Sequence, residues 1–265
     1  MSSVVSLEAS LRTLRASGRK LLVPYVTAGV DPTWLDYVHA AVDAGADAVE
    51  IGIPFSDPVI DGPVIQAASV RALARGTTPD SVFADLAGYR GSAPLIVMTY
   101  YNLVQSAGLD RFAADLVNAG VSATILPDLS MEEGDDWAAA ASSAGVENVL
   151  IAAPSSSDSR LSRICARSSG FVYGMGVMGV TGERAGLSDS ACEIANRLTA
   201  VTDKPVLIGV GVSTPANAER IVAHADGVAI GAPVVRTILA DGGTGGVADL
   251  VRGFRTELDR AAVPA

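Results

Sequence analysis

The stretch DAGADAVEI, residues 43–51, combines two features that together decide the fold. Its small residues and glycine are typical of a helix that ends at a left-handed C-terminal position, and its apolar end is typical of a buried parallel strand. The same order recurs in NAGVSATIL (118–126) and SAGVENVLI (143–151), and more loosely in SSGFVYG (168–174) and HADGVAIG (224–231). We therefore expect repeated units in which a helix turns tightly into a buried strand.

Eight apolar runs qualify as strands, and each is followed by a segment that can be helical. They are residues 21–26, 48–53, 94–98, 123–127, 148–152, 171–174, 205–210 and 227–230. Eight such units in a chain of 265 residues predict an α/β fold, a closed (β/α)8 TIM barrel in a single domain over residues 1–265. An extra amphipathic helix over residues 3–17 is expected at the barrel floor. An open doubly wound sheet is the alternative, but no G-x-G-x-x-G motif follows an early strand.

The composition argues against several classes of function. A net charge of −10 offers no basic face for nucleic acid or an anionic membrane, although a local positive pocket for a small anion remains open. The spacing of Cys165 and Cys192 matches no zinc-binding motif, and His39 and His224 are isolated in the sequence. The sequence therefore offers few residues for a histidine-based metal site or a Ser-His-Asp triad. We find no signal-peptide core and no apolar run of membrane-spanning length, and we therefore expect a cytoplasmic protein.

The carboxylates of VEIGIPFSDPVIDGP, residues 49–63, are the first candidates for chemistry. Active sites of TIM barrels lie at the carboxyl ends of the strands, and Glu50 stands late in the second strand. Apolar walls there would raise the pKa of its carboxyl group, as a general acid or base requires. Asp61 follows in a loop that proline and glycine stiffen. The alternatives are an ion pair between Glu50 and a lysine, a turn capped by Asp57 or Asp61, and a magnesium site.

Three further segments follow later strands. GVGVSTP (209–215) and GAPVV (231–235) come after strands seven and eight, where barrels often bind phosphate through backbone N–H groups and helix N-termini. MGVMGVTGERAGL (175–187) has the length and composition of a mobile lid, and MTYYNLVQSAG (98–108) suits a pocket rim or an interface. Ordinary turns, helix caps and a surface loop are the alternatives for these segments.

Seven motifs, taken in order, resemble those of the tryptophan synthase α subunit family over residues 20–240. They are PYVTAG…DP (24–32), VEIGIPFSDPVIDGPVIQ (49–66), MTYYN (98–102), LPDL (126–129), GFVYGMGVMGVTG (170–182), IGVGVSTP (208–215) and DGVAIGAPVV (226–235). The resemblance implies a (β/α)8 lyase that cleaves indole-3-glycerol phosphate to indole and glyceraldehyde 3-phosphate without metal or cofactor. It also implies a PLP-dependent β subunit as partner in an α2β2 complex, contacted through the lid and residues 54–63 and 101–108.

The same resemblance implies roles for single residues. Glu50 would protonate the indole ring carbon and handle the glycerol hydroxyl proton, while Asp61 would hold the indole N–H. Thr181, in the lid, would hydrogen-bond Asp61 when the loop closes. The residues implied to line the indole site are Tyr25, Met98, Leu126 and Tyr173, and those implied to hold the phosphate are Gly182, Gly211, Val212, Gly231 and Ala232.

This chain also departs from the family pattern. Ala232 stands where the family usually has a small hydroxyl residue, and Pro233 follows, so two donors to the phosphate are missing and weaker phosphate binding is expected. The lid near Val177 is unusually apolar, and Ser130 replaces a common proline. Three alternatives therefore stay open: a stand-alone lyase that releases free indole, a weakly catalytic subunit that activates its β partner, and another phosphate-handling barrel such as an isomerase.

Overall fold

Eight parallel strands form a closed barrel in the order β1 to β8, in a computed structural model that describes residues 6–176 and 187–262. The strands are β1 (Leu21–Thr27), β2 (Val49–Gly52), β3 (Leu95–Met98), β4 (Val121–Ile125), β5 (Glu147–Ala152), β6 (Val172–Met175), β7 (Val206–Gly209) and β8 (Gly227–Ile230). Each overlaps one of the eight runs identified in the sequence. The closed barrel is confirmed, and the open doubly wound sheet is wrong because β1 pairs with β8.

Helices surround the strands and alternate with them along the chain. They are α1 (Leu7–Ala16), α2 (Trp34–Asp43), α3 (Pro63–Ala74), α4 (Pro79–Leu86), α5 (Tyr101–Ala107), α6 (Leu109–Asn118), α7 (Asp135–Ala144), α8 (Asp158–Arg167), α9 (Leu187–Thr199), α10 (Pro215–Val222), α11 (Ala232–Leu239) and α12 (Gly243–Ala262). None of the helices within the described ranges combines the length and the apolarity needed to cross a bilayer.

The recurring sequence phrase marks the turn from helix to strand. In SAGVENVLI, α7 ends at Gly145, whose φ of 79° lies in the left-handed region that only glycine adopts at little cost. Gly45 and Gly120 have the same sign of φ in the other two close copies, at 105° and 76°. The loose echo HADGVAIG differs, since its Gly227 is the first residue of β8 and forms no such turn. The tight turn thus brings α2, α6 and α7 directly back to the sheet.

An inner core fills the barrel, and α1 closes it at the N-terminal ends of the strands. Its members are Leu21, Val23, Ala48, Ile96, Ala123, Ile125, Val149, Phe171, Tyr173, Leu207 and Ala229. Leu7 and Leu11 of α1 are fully buried against them. The carboxylate of Glu8 accepts a hydrogen bond of 3.2 Å from the backbone N–H of Gly170, just before β6. The helix predicted over residues 3–17 is therefore present at the floor, with residues 1–5 outside the described chain.

A buried ionic cluster ties α12 to the same end of the barrel. Asp47, just before β2, contacts Arg19 Nε at 2.6 Å and Arg255 Nη1 of α12 at 3.2 Å. The Asp47 carboxylate also accepts the backbone N–H of Leu22 at 2.8 Å. Asp47 and Arg255 are both buried, so neither charge can turn to water if the other is removed. The cluster fixes the relation between the last helix and the barrel floor.

We expect Asp47→Ala to lower the free energy of unfolding by about 3 kcal/mol or more, because it leaves the buried Arg255 guanidinium without this partner. Urea denaturation measures the change. Asp259→Ala is the matched control: Asp259 pairs with the same arginine at 2.7 Å, but its side chain is 56% exposed. Its loss should cost less than about 1 kcal/mol. Equal effects of the two substitutions would contradict a special role for the buried pair.

Candidate active site

Glu50 points into the barrel from β2. Ala48, two residues earlier, belongs to the inner core, and side chains two apart on a strand point to the same face. Glu50 is 2% exposed and pairs in register with Tyr25 of β1 and Ile96 of β3. Its Oε1 atom has no hydrogen-bond partner among the described residues. Burial raises the pKa of this carboxyl group from 4.5 to about 8, so the side chain is protonated at neutral pH. The proposed ion pair with a lysine is not formed within the described chain.

Asp61 lies in the loop between β2 and α3, and Tyr100 fixes its position. The Tyr100 hydroxyl accepts the backbone N–H of Ile60 at 3.0 Å and donates to the Asp61 carboxylate. The ring of Phe55 stacks on Tyr100, with centroids 5.0 Å apart. Burial raises the pKa of Asp61 from 3.8 to about 6, and the hydrogen bond from Tyr100 partly offsets this shift. Asp61 is therefore mostly ionised at neutral pH, while Glu50 is not.

Both carboxyl groups line one cavity of about 290 Å³ at the carboxyl ends of the strands. The other predicted site residues in its lining are Tyr25, Met98, Tyr173, Gly211, Val212, Gly231 and Ala232. Further lining residues that the sequence did not single out include Ile60, Pro127, Ile151, Met175 and Arg236. The cavity therefore has two acids and apolar walls at one end, and the loops after β7 and β8 at the other.

Two tyrosines enclose Glu50, each beside a strand that ends in glycine. A methyl group at Gly52 would overlap the hydroxyl of Tyr25, and one at Gly209 would overlap the hydroxyl of Tyr173. Burial, together with the charge of nearby carboxyl groups that include Glu50, raises the pKa of both phenols far above neutral. The two rings therefore act as neutral walls that exclude water from Glu50.

The loops after β7 and β8 form the other end of the cavity. Val210 adopts φ 58° and Gly211 φ 96°, so the backbone after β7 turns sharply, and a β-branched residue there is strained. Thr214 caps α10 by accepting the N–H of Asn217 at 3.2 Å, which confirms the helix-cap alternative for this residue. Helix α11 begins at Ala232, immediately after Gly231. Its N-terminus faces the cavity, as a phosphate site after the last two strands requires.

A sequence model described as tryptophan synthase alpha chain matches residues 11–257, nearly the whole chain. The chain belongs to this family. Its relatives include the tryptophan synthase alpha chains of Thermobifida fusca and Streptomyces coelicolor, both 41% identical to it. The first comparison covers 95% of this chain and 96% of the relative, and the second covers 96% and 98%.

Solved structures agree with this assignment. A structure of Mycobacterium tuberculosis tryptophan synthase superposes with a TM-score of 0.87 at 35% identity, covering 95% of this chain and 97% of that one. Tryptophan synthase subunit alpha from Legionella pneumophila gives 0.86 at 30% identity, covering 96% and 98%. The fold is thus the one seen in tryptophan synthase structures.

Three residues that the family resemblance assigned to the site need separate mention. Leu126 does not line the cavity: it contacts the layer between strands and helices and borders a separate small pocket with Leu129 and Met131. The reason is the two-residue period of β4, which turns Ile125 inward and Leu126 outward. Thr181 and Gly182 lie outside the described residues, so their assigned contacts stay predictions.

No group of three or more histidine, cysteine, aspartate or glutamate side chains suited to a metal ion occurs within residues 6–176 and 187–262. The magnesium alternative therefore has no additional acidic ligand near Glu50 and Asp61 in that part of the chain. The site is better described as two carboxyl groups with different pKa values, a pattern typical of paired acid and base roles.

We expect the stability of the protein to respond to pH through Glu50. Because the pKa is 4.5 when unfolded and about 8 when folded, protonated Glu50 contributes fully below the lower value. The contribution is lost as pH rises toward the higher value. The free energy of unfolding of the wild type should therefore fall relative to that of Glu50→Gln, by at most about 1.4 kcal/mol per pH unit. Urea denaturation from about pH 5 to 8 measures it, and a constant difference would count against the raised pKa.

We also expect Tyr100→Phe to raise the pKa of Asp61 above about 6, because the lost hydrogen bond stabilises the ionised carboxylate. If ionised Asp61 is required, the acid limb of kcat/KM for indole-3-glycerol phosphate should move to higher pH. Tyr101→Phe is the control, since the neighbouring tyrosine does not line the cavity. An unchanged acid limb in Tyr100→Phe would show that Tyr100 does not act through Asp61.

Proposed function

We propose that Glu50 and Asp61 carry the retro-aldol reaction of this family, in which the alpha subunit of tryptophan synthase cleaves indole-3-glycerol phosphate in L-tryptophan biosynthesis. The products are indole and glyceraldehyde 3-phosphate, and the enzyme is a carbon–carbon lyase. One observation carries the assignment of residues: a buried carboxyl group with a pKa of about 8 shares a cavity with a second, more acidic carboxyl group. We further propose that residues 1–265 act as a single domain.

The chemistry of the substrate explains why two such groups are needed. Indole leaves poorly as a carbanion, so its ring carbon must be protonated before the bond to the glycerol carbon breaks. Protonated Glu50 donates that proton and becomes a carboxylate. It then accepts the proton of the glycerol hydroxyl as that carbon becomes the aldehyde, which restores its starting state. A pKa of about 8 lets one residue serve in both steps near neutral pH.

Asp61 supports the same step from the other side of the ring. Protonation of the ring carbon places positive charge on the indole, much of it at the N–H. An ionised Asp61 accepts this N–H and stabilises the charge as it develops, and its pKa of about 6 keeps it ionised. The hydrogen bond from Tyr100 keeps the carboxylate in place before substrate arrives. Such preorganisation lowers the cost of reorganisation during the reaction.

The rest of the cavity fits the two ends of the substrate. Tyr25, Met98 and Tyr173 provide apolar walls for the bicyclic ring next to Glu50. The phosphate is assigned to the opposite end, on Gly211, Val212, Gly231 and Ala232, with Gly182 as a contributor from the lid, and Thr181 is assigned to a hydrogen bond with Asp61. No lysine or histidine lines the described part of the cavity. This favours the lyase over a sugar-phosphate isomerase that uses a lysine or histidine as base or electrophile.

We propose the PLP-dependent β subunit as partner, in an α2β2 complex in the cytoplasm. The loop over residues 54–63 supports this, because Val59 is 75% exposed there while Phe55 is held on the ring of Tyr100. This loop also carries Asp61, so contact with a partner would act directly on a catalytic group. A stand-alone lyase and a weakly catalytic activating subunit remain as alternatives that activity measurements separate.

Purified protein given indole-3-glycerol phosphate should release indole, and Glu50→Gln and Asp61→Asn should each lower the rate by about 10²- to 10⁴-fold. Asp57→Asn is the matched control, because Asp57 is an exposed carboxylate in the same loop that hydrogen-bonds Ser56. It should retain activity in assays without β subunit. Wild-type turnover in both active-site variants would exclude the mechanism.

The partner is tested by repeating the assay with a cognate β subunit. A large increase in rate on its addition supports the complex. High turnover that the β subunit leaves unchanged supports the stand-alone lyase, and activation of the β subunit by a protein that cleaves no substrate supports the activating subunit.

A further inference from the structure

The first turn of α11, at the anion-binding end of the cavity, lacks two hydrogen-bond donors. Ala232, the first residue of α11, has no hydroxyl group, and Pro233, the second, has no backbone N–H. The opposite end holds Glu50 and Asp61, whose carboxylates repel a phosphate dianion when ionised. Binding of a substrate with a phosphate group therefore needs positive charge or hydrogen-bond donors beyond those that the first turn of α11 supplies.

Arg236 is the one cationic side chain among the described residues that line this cavity. It lies on α11, one turn after Ala232. Helical side chains lean toward the N-terminus of their helix, and Arg236 lines the same cavity as Gly231 and Ala232. A guanidinium group carries several N–H donors, so Arg236 can offer two of them to phosphate oxygens in addition to the interaction that it already makes within the protein.

We propose that Arg236 binds the phosphate group of the substrate and replaces the two donors that Ala232 and Pro233 do not provide. The proposal rests on the proposed function, since it concerns the same cavity and the same substrate. Arg236 is a binding residue in it and takes no part in proton transfer. A purely structural role is the competing account, because a basic residue in the last turn of α11 also interacts favourably with the helix dipole.

Binding of inorganic phosphate and of glycerol 3-phosphate, measured by calorimetry on the full chain, separates the two accounts. Arg236→Gln should weaken both affinities by about tenfold or more, and Arg236→Lys should give an intermediate value because it keeps the charge but loses the paired donors. Arg252→Gln is the control, since Arg252 on α12 pairs with Asp249 and does not line the cavity. Unchanged affinity in both Arg236 variants would overturn the proposal.

Restoring a hydroxyl donor at residue 232 gives a second, independent test of the role of Arg236. Ala232→Ser restores a hydroxyl donor, so it should strengthen phosphate binding, and the loss caused by Arg236→Gln should be smaller in the Ala232→Ser background. In turnover assays Arg236→Gln should raise KM for indole-3-glycerol phosphate with little change in kcat, as expected for uniform binding. Equal losses in the two backgrounds would show that Arg236 does not stand in for the missing donor.

The same measurements separate failure of this proposal from failure of the proposed function. Glu50→Gln should abolish turnover without weakening the binding of inorganic phosphate. If the wild type cleaves no substrate but phosphate affinity still depends on Arg236, the catalytic assignment fails and the phosphate site stands. If turnover depends on Glu50 while phosphate affinity does not change with Arg236, the catalytic assignment stands and the role of Arg236 in phosphate binding fails.

Discussion

The structure depends on keeping one carboxylic acid out of water without giving it a charged partner. Desolvation of an ionised carboxylate is costly, so Glu50 holds its proton well above the pH at which a free glutamate loses it. Each neighbour has to preserve that condition. Ile96 and Met98 are apolar, Tyr25 and Tyr173 stay neutral, and the strand-end glycines give the two phenol rings the room they need. An arginine or lysine in this shell would hold Glu50 ionised and end its use as an acid.

The second carboxyl group sits in a different environment, and the difference is what makes a pair of roles possible. Asp61 stands on a loop, takes a hydrogen bond from Tyr100 and has the lower pKa of the two. One cavity therefore holds a proton donor and an anion together near neutral pH. This arrangement carries an electrostatic cost for an anionic substrate. The cavity meets that cost by separating its acidic end from the loops after β7 and β8, where backbone donors and the N-terminus of α11 lie.

The fold could be predicted because its signals are local and repeated. Eight apolar runs, with glycine turns such as Gly45 and Gly145 before several of them, leave few arrangements other than a closed barrel. Glu50 and Asp61 could be singled out because a carboxyl group at a strand end and another in a proline-rich loop are unusual. Leu126 was assigned to the pocket by the family resemblance, although Ser122 and Thr124 alternate with Ala123 and Ile125 in β4 and this period places Leu126 on the outer face.

Contacts between segments that are distant in the chain could not be predicted from the sequence. The hydrogen bond that anchors the loop of Asp61 joins the backbone N–H of Ile60 to Tyr100, 40 positions later, and the only signal in the sequence was a pair of tyrosines after the third strand. The sequence carries even less signal for Arg236, because an arginine on a surface helix is common and only the closed barrel places this one in the lining of the cavity. Both cases depend on which loops the closure of the sheet brings together, and no local pattern encodes that.

The first helix limits where substrate can enter the barrel and where product can leave it. Leu7 and Leu11 cover the base of the barrel and side chains fill its interior, so within the described residues the cavity that holds Glu50 and Asp61 opens at the carboxyl ends of the strands. A protein docked over that opening would control the arrival of the bulky precursor and the departure of the small aromatic fragment at the same gate. Because the cavity opens at this end, the small aromatic product would leave toward any protein that covers the rim of the barrel.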